Sequence, residues 1–261
     1  MLISMDSGAS ALDQFQQELN VIGNNIANVD TAGFKSSTMN FEDTFNQTLG
    51  SNSSGYLQVG NGVQTSDIAE QFTQGAISST GVTSNLAING NGFFLVKDPS
   101  SGAEYLTRDG DFTVDSSGYL VTSGGLRVQG YNNSGLSSTG DTSAVENYSF
   151  GSDGTLTVEL ADGTQYTGGQ VLLQNCTSPQ QLYNAGNNLY SNISAAGALS
   201  AAVAPGNSGT GSLVTGSLEG SNVDLSDQLT DLITAQRAYE ANAKVVTTSD
   251  QILQDATNLG R

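Results

Sequence analysis

Apolar residues recur every seven positions at the two ends of the chain, and the middle follows a different rule. Near the N-terminus one row is Met5, Leu12, Leu19 and Ile26, and a second is Gly8, Phe15, Ile22 and Val29. Together they form the a/d seam of a helix made to lie along another helix. Near the C-terminus Leu225, Leu232, Tyr239, Val246 and Leu253 form one row, and Ala238, Val245, Ile252 and Leu259 stand beside it. Gln236 and Asp250 interrupt a further row through Leu229 and Ala243. At about 1.5 Å per residue these helices run roughly 35 to 55 Å. Polar breakers from Asn28 to Asp30 and the turn residue Gly33 end the first helix. Asp224 or Ser226 can cap the second, where Asp227 and Asp231 complement the N-terminal dipole. Glu240 and Lys244 offer an i,i+4 pair worth a few tenths of a kcal/mol. Periodicity does not say whose helix fills the seam. An internal helical hairpin and packing against other copies both satisfy it.

Between the helices the pattern changes to short alternating runs. An apolar cluster of Phe34, Met39, Phe41 and Phe45 comes first, and the run GSNSSG from Gly50 to Gly55 reads as a flexible connector. Strand-like stretches follow at Gly62 to Ile68, Leu86 to Ile88, Gly92 to Lys97, Glu104 to Thr107, Asp111 to Val114, Tyr119 to Thr122 and Leu126 to Tyr131. The piece FTVDSSGYLVTSGGLRVQGY alternates around two Gly-bearing turns and predicts a three-stranded meander. From Gly154 to Gln174 a similar run places Asp162-Gly163 at a hairpin turn. Residues Ser194 to Gly216, rich in Ala, Gly and Ser, read as the connector returning to the last helix.

Composition then removes whole classes of function. There is no His, and one Cys (Cys176), so Ser-His-Asp, Cys-His and His-based metal chemistry are excluded. Seven Lys and Arg against 25 Asp and Glu give a net charge of −18, which repels a phosphate backbone and an anionic membrane surface. No segment approaches the eighteen or so apolar residues of a membrane span. The start, MLISMDSGASALDQFQQ, lacks the basic region and apolar stretch of a secretory signal. A single cysteine forms no internal disulfide. The polarity comes from Ser, Thr, Asn, Gln and 32 Gly, which suits surfaces packed against many neighbours, because an amide or hydroxyl is cheaper to bury than an ion.

Candidate chemistry is thin. Asp109, Asp111 and Asp115 invite a calcium reading, but DGDFTVD lacks the central Gly and terminal Glu of an EF-hand loop, and acidic turn residues suffice. NGNGFF, from Asn89 to Phe94, does not open a helix and is no dinucleotide loop. Paired carboxylates could hydrolyse a glycan, yet no aromatic platform surrounds a pair. Cys176, beside a strand, reads as a small buried residue. We expect no catalytic, cofactor-binding or metal site. Asn24, Asn25 and Asn28 carry two readings: pairing across subunits or facing a channel as uncharged groups, and a helix end drifting into its cap.

The stretch VIGNNIANVDTAGFK (Val21 to Lys35) resembles the signature of the bacterial flagellar axial proteins, the rod and hook family. SNVDLSDQLTDLITAQRAYEANAKVVTTSDQIL (Ser221 to Leu253) is similar to the matching terminal helix. LAINGNGFFLV, YLTRDGDFTVDSSGYLVT and GNNLY resemble segments of the family's β-domain, in the right order. The resemblance implies an α+β fold: long N- and C-terminal helices paired as a coiled coil, with a mainly antiparallel β central domain. It divides the chain into 1–48 and 217–261, the inner helical domain, and 49–216, the outer β-rich domain. It implies a subunit that polymerises with copies of itself into a helical tube and meets other axial proteins at the ends. The type III export apparatus and an assembly cap would be further partners, with no nucleic acid and no membrane insertion. The flagellar hook or basal body would be its location, reached without a Sec signal. The expected assembly surface is Met5, Leu12, Phe15, Leu19, Ile22, Asn24, Asn25, Ile26, Leu225, Leu229, Leu232, Tyr239, Val246 and Leu253. Within the family, VIGNNIAN, the short GSNSSG spacer and an end reaching past Leu259 favour a short-form hook protein, linking rod to filament and transmitting torque, as the expected role, and the overall length keeps a distal-rod subunit as the alternative. A secreted surface adhesin with helical ends is the reading from another class.

Overall fold

The computed structural model describes residues 2–45, 47–52, 55–115, 119–130, 145–160, 165–198 and 202–259. The chain forms two compact units, one of Met1–Asn28, Ser36–Gln71 and Val223–Arg261, the other of Val29–Lys35 and Phe72–Asn222.

The first unit holds α1 (Leu2–Ala27), β1 (Ser37–Asp43), β2 (Gln47–Asn52), β3 (Gly55–Val59), β4 (Val63–Glu70) and α2 (Leu225–Leu259). The helices lie side by side and antiparallel: Gly8 near the start of α1 meets Val246 and Asn242 late in α2, and Asn25 near its end bonds Gln228 at the start of α2. Helix α1 stops where the breakers begin, with the Asn28 N–H bonded to Asn24 O at 3.2 Å. Asp224 caps α2, its Oδ1 accepting the N–H of Ser226 at 2.8 Å. Strands β1 and β4 pair antiparallel with a bulge at Asn40/Phe41. Phe15 packs its ring 5.7 Å from Phe41, and the Thr65 hydroxyl bonds Gln14. These contacts keep Ser36–Gln71 with the helices, so the boundary expected at 48/49 falls inside this unit. The run GSNSSG is strand at both ends, and Ser53 and Ser54 lie outside the described residues. Gly50 to Asn52 belong to β2 and Gly55 opens β3, paired from Gln47↔Val59 to Asn52↔Gly55. Small polar residues do not forbid a strand whose backbone finds an immediate antiparallel partner.

The regular elements of the second unit are almost all strands: β5 (Ile77–Ser79), β6 (Leu86–Asn89), β7 (Phe93–Lys97), β8 (Glu104–Thr107), β9 (Phe112–Val114), β10 (Leu120–Thr122) and β11 (Arg127–Val128) come first. There follow β12 (Val145–Phe150), β13 (Thr155–Leu160), β14 (Gln165–Gln170), β15 (Leu173–Gln174), β16 (Tyr183–Gly186), β17 (Leu189–Ser191), β18 (Ser212–Thr215) and β19 (Ser217–Glu219). The largest sheet runs β16-β17-β8-β7-β11-β10-β9, with β15 also on β7, and all its pairs are antiparallel. Strand β7, FFLVK, is buried on both sides. Phe94 and Val96 enter a cluster with Leu86, Ile88, Phe112 and Val158, while Phe93 and Leu95 enter another with Leu106, Cys176 and Tyr190. The period-2 alternation of a strand divides these neighbours between two faces.

The predicted meander is present as β9-β10-β11, with its last strand reduced to Arg127–Val128 and the Gln129 N–H continuing onto Leu95 O of β7. Strands β13 and β14 form the predicted hairpin; its Asp162-Gly163 turn lies outside the described residues. The expected connector from Ser194 ends as strand, since β18 pairs with β6 and buries Leu213. Residues 199–201 lie outside the described part.

Candidate functional site

Helix α2 presents more apolar surface than α1 covers. The side turned to α1 carries two heptad rows. One is the expected Leu232, Val246 and Leu253, half-buried, with Leu225 and Tyr239 of the same row exposed. The other is Gln228, Ala235, Asn242 and Ser249, of which Ala235 and Ser249 are buried. The row expected there instead, Ala238, Val245, Ile252 and Leu259, is turned aside: Val245 and Ile252 are exposed, and the Leu259 side chain lies outside the described residues. The helices approach closely at Gly8, where a Cβ would stand 3.1 Å from Val246 Cγ2 and 3.8 Å from Val245 Cγ1. At 3.6 residues per turn the bare apolar groups flank this contact on both sides. Leu225, Leu229 and Ile233 border it in the first half of α2, and Val245 and Ile252 on the opposite side in the second.

On α1, Met5, Leu12, Phe15, Leu19 and Ile26 are half-buried and Ile22 is buried, whereas Asp6, Asp13, Gln16, Asn20 and Asn24 make a polar outer face. Asn25 is buried and committed within its own chain. Its Nδ2 donates to Ser37 O and to Gln228 Oε1, both at 2.8 Å, and its Oδ1 accepts the Ser37 N–H at 2.9 Å. One amide therefore fixes β1 and α2 to the end of α1. Asn28 donates to exposed Asn24 along the helix (Nδ2 to Oδ1, 3.1 Å).

In the β unit the chain entering from α1 and the chain leaving toward α2 meet on one carboxylate. Glu219, at the end of β19, has no solvent exposure of its side chain. Its Oε1 accepts Lys35 Nζ at 2.6 Å and the Gly75 N–H at 3.0 Å, and its Oε2 accepts Arg108 Nη1 at 3.0 Å. Lys35 also donates to Thr73 O at 2.7 Å, and Arg108 Nη2 to Gly90 O at 2.8 Å. The guanidinium lies 5.3 Å from the Phe93 ring centroid. Burial pushes both cations below their ordinary pKa, and Glu219 opposes that shift in each. Gly33 makes the geometry possible. At φ +68° it donates its N–H to Glu219 O at 2.8 Å, and a Cβ there would stand 2.5 Å from Asp109 N. Sequence reasoning missed this clasp, although Lys35 and Arg108 are two of only seven cations in the chain.

The remaining candidates have structural occupations. Asp109 Oδ1 accepts the Asp111 N–H at 3.0 Å, and Asp115 Oδ1 that of Tyr119 at 2.9 Å, as turn residues do. Gly90 and Gly92 of NGNGFF sit between β6 and β7 at φ +115° and +122°. Cys176 is buried, which raises its thiol pKa. Glu240 pairs with Arg237 at 3.5 Å rather than with Lys244. Among the described residues no helix is long and apolar enough to cross a membrane.

The chain thus combines a terminal helix with apolar flanks left bare and an antiparallel β unit closed by a buried clasp. Three family models match in chain order: the flagella basal body rod protein over residues 5–35, the flagellar hook protein FlgE/F/G D1 domain over 87–158, and the flagellar basal body rod FlgEFG protein C-terminal region over 214–259. Lys35, Arg108 and Glu219 fall one in each. The flagellar basal-body rod protein FlgG of Bacillus subtilis (strain 168) is 41% identical over the whole of both chains. FlgG of Buchnera aphidicola subsp. Baizongia pistaciae is 41% identical over 94% of this chain and 95% of its own. The flagellar hook protein FlgE of Helicobacter mustelae is 40% identical over 50% of this chain and 31% of its own. The chain belongs to the flagellar rod and hook family of axial structural proteins. Inside that family the expected preference for hook is displaced, because the matches running the full length carry the rod name and the hook match stops at half.

Proposed function

We propose that the chain is a distal-rod subunit of the flagellar basal body, polymerising with its own copies into a tube that transmits torque. Its helices pair as a coiled coil on the inner side of that tube. The observation that carries self-assembly is the apolar surface of α2 that α1 leaves bare, at Leu225, Leu229, Ile233, Val245 and Ile252. Fully burying a Leu or Ile side chain contributes about 1.5–3 kcal/mol, so even partial cover by neighbouring copies is a large driving force when repeated along a polymer. Full-length similarity to rod proteins supports rod over hook. Other axial proteins at its ends, the type III export apparatus and an assembly cap are the partners this role requires.

Electron microscopy of basal bodies from a strain lacking the gene tests the reading. A rod that stops short of the outer bushing is expected. An intact rod lacking only the curved segment beyond it would return the chain to the hook, and normal basal bodies and hooks would remove it from the axis altogether.

A further inference from the structure

The β unit contains four Lys and Arg residues, Lys35, Lys97, Arg108 and Arg127, and Glu219 consumes two of them. The other two are set side by side. Arg127 of β11 lies directly opposite Lys97 of β7, and Lys97 lies opposite Glu104 of β8. Across three strands the row reads carboxylate, ammonium, guanidinium. Like charges directly opposite one another destabilise a sheet, and the one carboxylate of the row is taken by Lys97 at 3.1 Å. Arg127 has no carboxylate within ion-pair distance among the described residues; its guanidinium lies 3.9 Å over the Tyr119 ring instead. Both cations wall an open cleft of about 260 Å³ with Asp98, Tyr119 and Gln129. Asp98 makes no ion pair with Arg127; it is turned to its own loop, with Oδ1 accepting the Ser100 N–H at 2.8 Å and Oδ2 the Ser101 hydroxyl at 2.6 Å. A guanidinium stacked on a ring keeps its planar edge of N–H donors open, the geometry that takes a carboxylate through two parallel bonds.

Building on the reading of the chain as a self-assembling subunit, we propose that this cleft receives an aspartate or glutamate carboxylate from a second copy of the chain. Charge selects the occupant. Copies carrying −18 repel one another, and Arg127, the β-unit cation without a carboxylate partner among the described residues, turns one point of contact into attraction. A carboxylate entering beside Tyr119 gives each cation of the row its own counter-charge.

Full-length chains, half of them labelled with heavy nitrogen, are mixed, polymer is confirmed by sedimentation, and a carbodiimide joins Lys97 to any carboxylate in contact. Glu104 is the internal control, because its link to Lys97 joins peptides of the same label. Mixed-label links from Lys97 to an Asp or Glu peptide are expected, reduced at least about fivefold in R127Q. R127Q should keep the wild-type melting temperature, since the side chain reaches the surface. Polymers in which Lys97 links only to Glu104, or R127Q polymers with an undiminished mixed-label yield, overturn the proposal while leaving the subunit reading intact. Chains that stay monomeric at every concentration overturn both.

Discussion

One carboxylate carries more of the β unit than its surroundings in the sequence would indicate. Removing a partner from a buried ion cluster leaves uncompensated charge, so Glu219→Gln should cost about 3–5 kcal/mol, read as a lowered urea midpoint with circular dichroism of the strands as the signal. Replacing the whole cluster, K35M with R108L and E219L, should recover most of that loss, because apolar groups of similar volume need no counter-charge. A triple variant as unstable as E219Q would mean that the bonds to Thr73, Gly75 and Gly90, rather than the charges, hold the clasp. Glu18 makes the opposite case. Burial chiefly, and Asp231 second, raise its pKa above 4.5, so its ionised form is the strained one. A raised carboxyl pKa adds stability that is complete below the unfolded value and is lost as pH rises through the folded value. The helix pair should therefore melt higher near pH 4.5 than at pH 7, and E18Q should lift the pH 7 midpoint and flatten that part of the profile. An E18Q chain with an unchanged profile would exclude Glu18 as the source.

At the scale of elements, what could be read beforehand was whatever depended on local pattern. Both helices, the meander and the second hairpin follow from apolar spacing and turn residues, and Asp224 was already a candidate cap. What escaped depended on partners distant in sequence. GSNSSG has no strand signal of its own, and β18 and β19 exist because β6 and β5 offer them edges. The clasp joins positions 35, 108 and 219, which no window along the chain brings together. The inner row of α2 depends on a distant partner too: apolarity points to Val245 and Ile252, whereas Ala235 and Ser249 are the residues buried, and the helices come close at Gly8 and Val246. That contact is testable. Gly8→Ala asks Val246 to yield a few tenths of an ångström and should be tolerated. Gly8→Val forces the helices apart and should cost about 1–3 kcal/mol in thermal unfolding followed by helical circular dichroism. The bare flank separates folding from assembly. L229S with I233S should change monomer stability by no more than about 0.5 kcal/mol each, both side chains being largely exposed, yet should lower the amount of sedimentable polymer. Equal polymer from the double variant would show that this side of α2 stays in water throughout.

For the whole molecule, the two units are supported by different things. The β unit has an interior of its own, with Phe94, Leu106, Phe112, Val158, Leu173 and Tyr190 almost wholly excluded from solvent and a clasp of buried charge. The helical unit has few buried apolar side chains; Ile22 and Ala235 are the buried apolar residues on its helices among those described. Local stability follows buried contact, so amide hydrogens should exchange at very different rates in one chain. In the free protein, deuterium exchange followed by mass spectrometry should label α1 and α2 well before β6 to β8. On polymerisation the helices should become protected by at least about tenfold, with the strands little changed, because new cover arrives where apolar surface was bare. Helices already as slow as β7 in the monomer would contradict this account of assembly, since the free chain would then have no ordering left for its neighbours to drive.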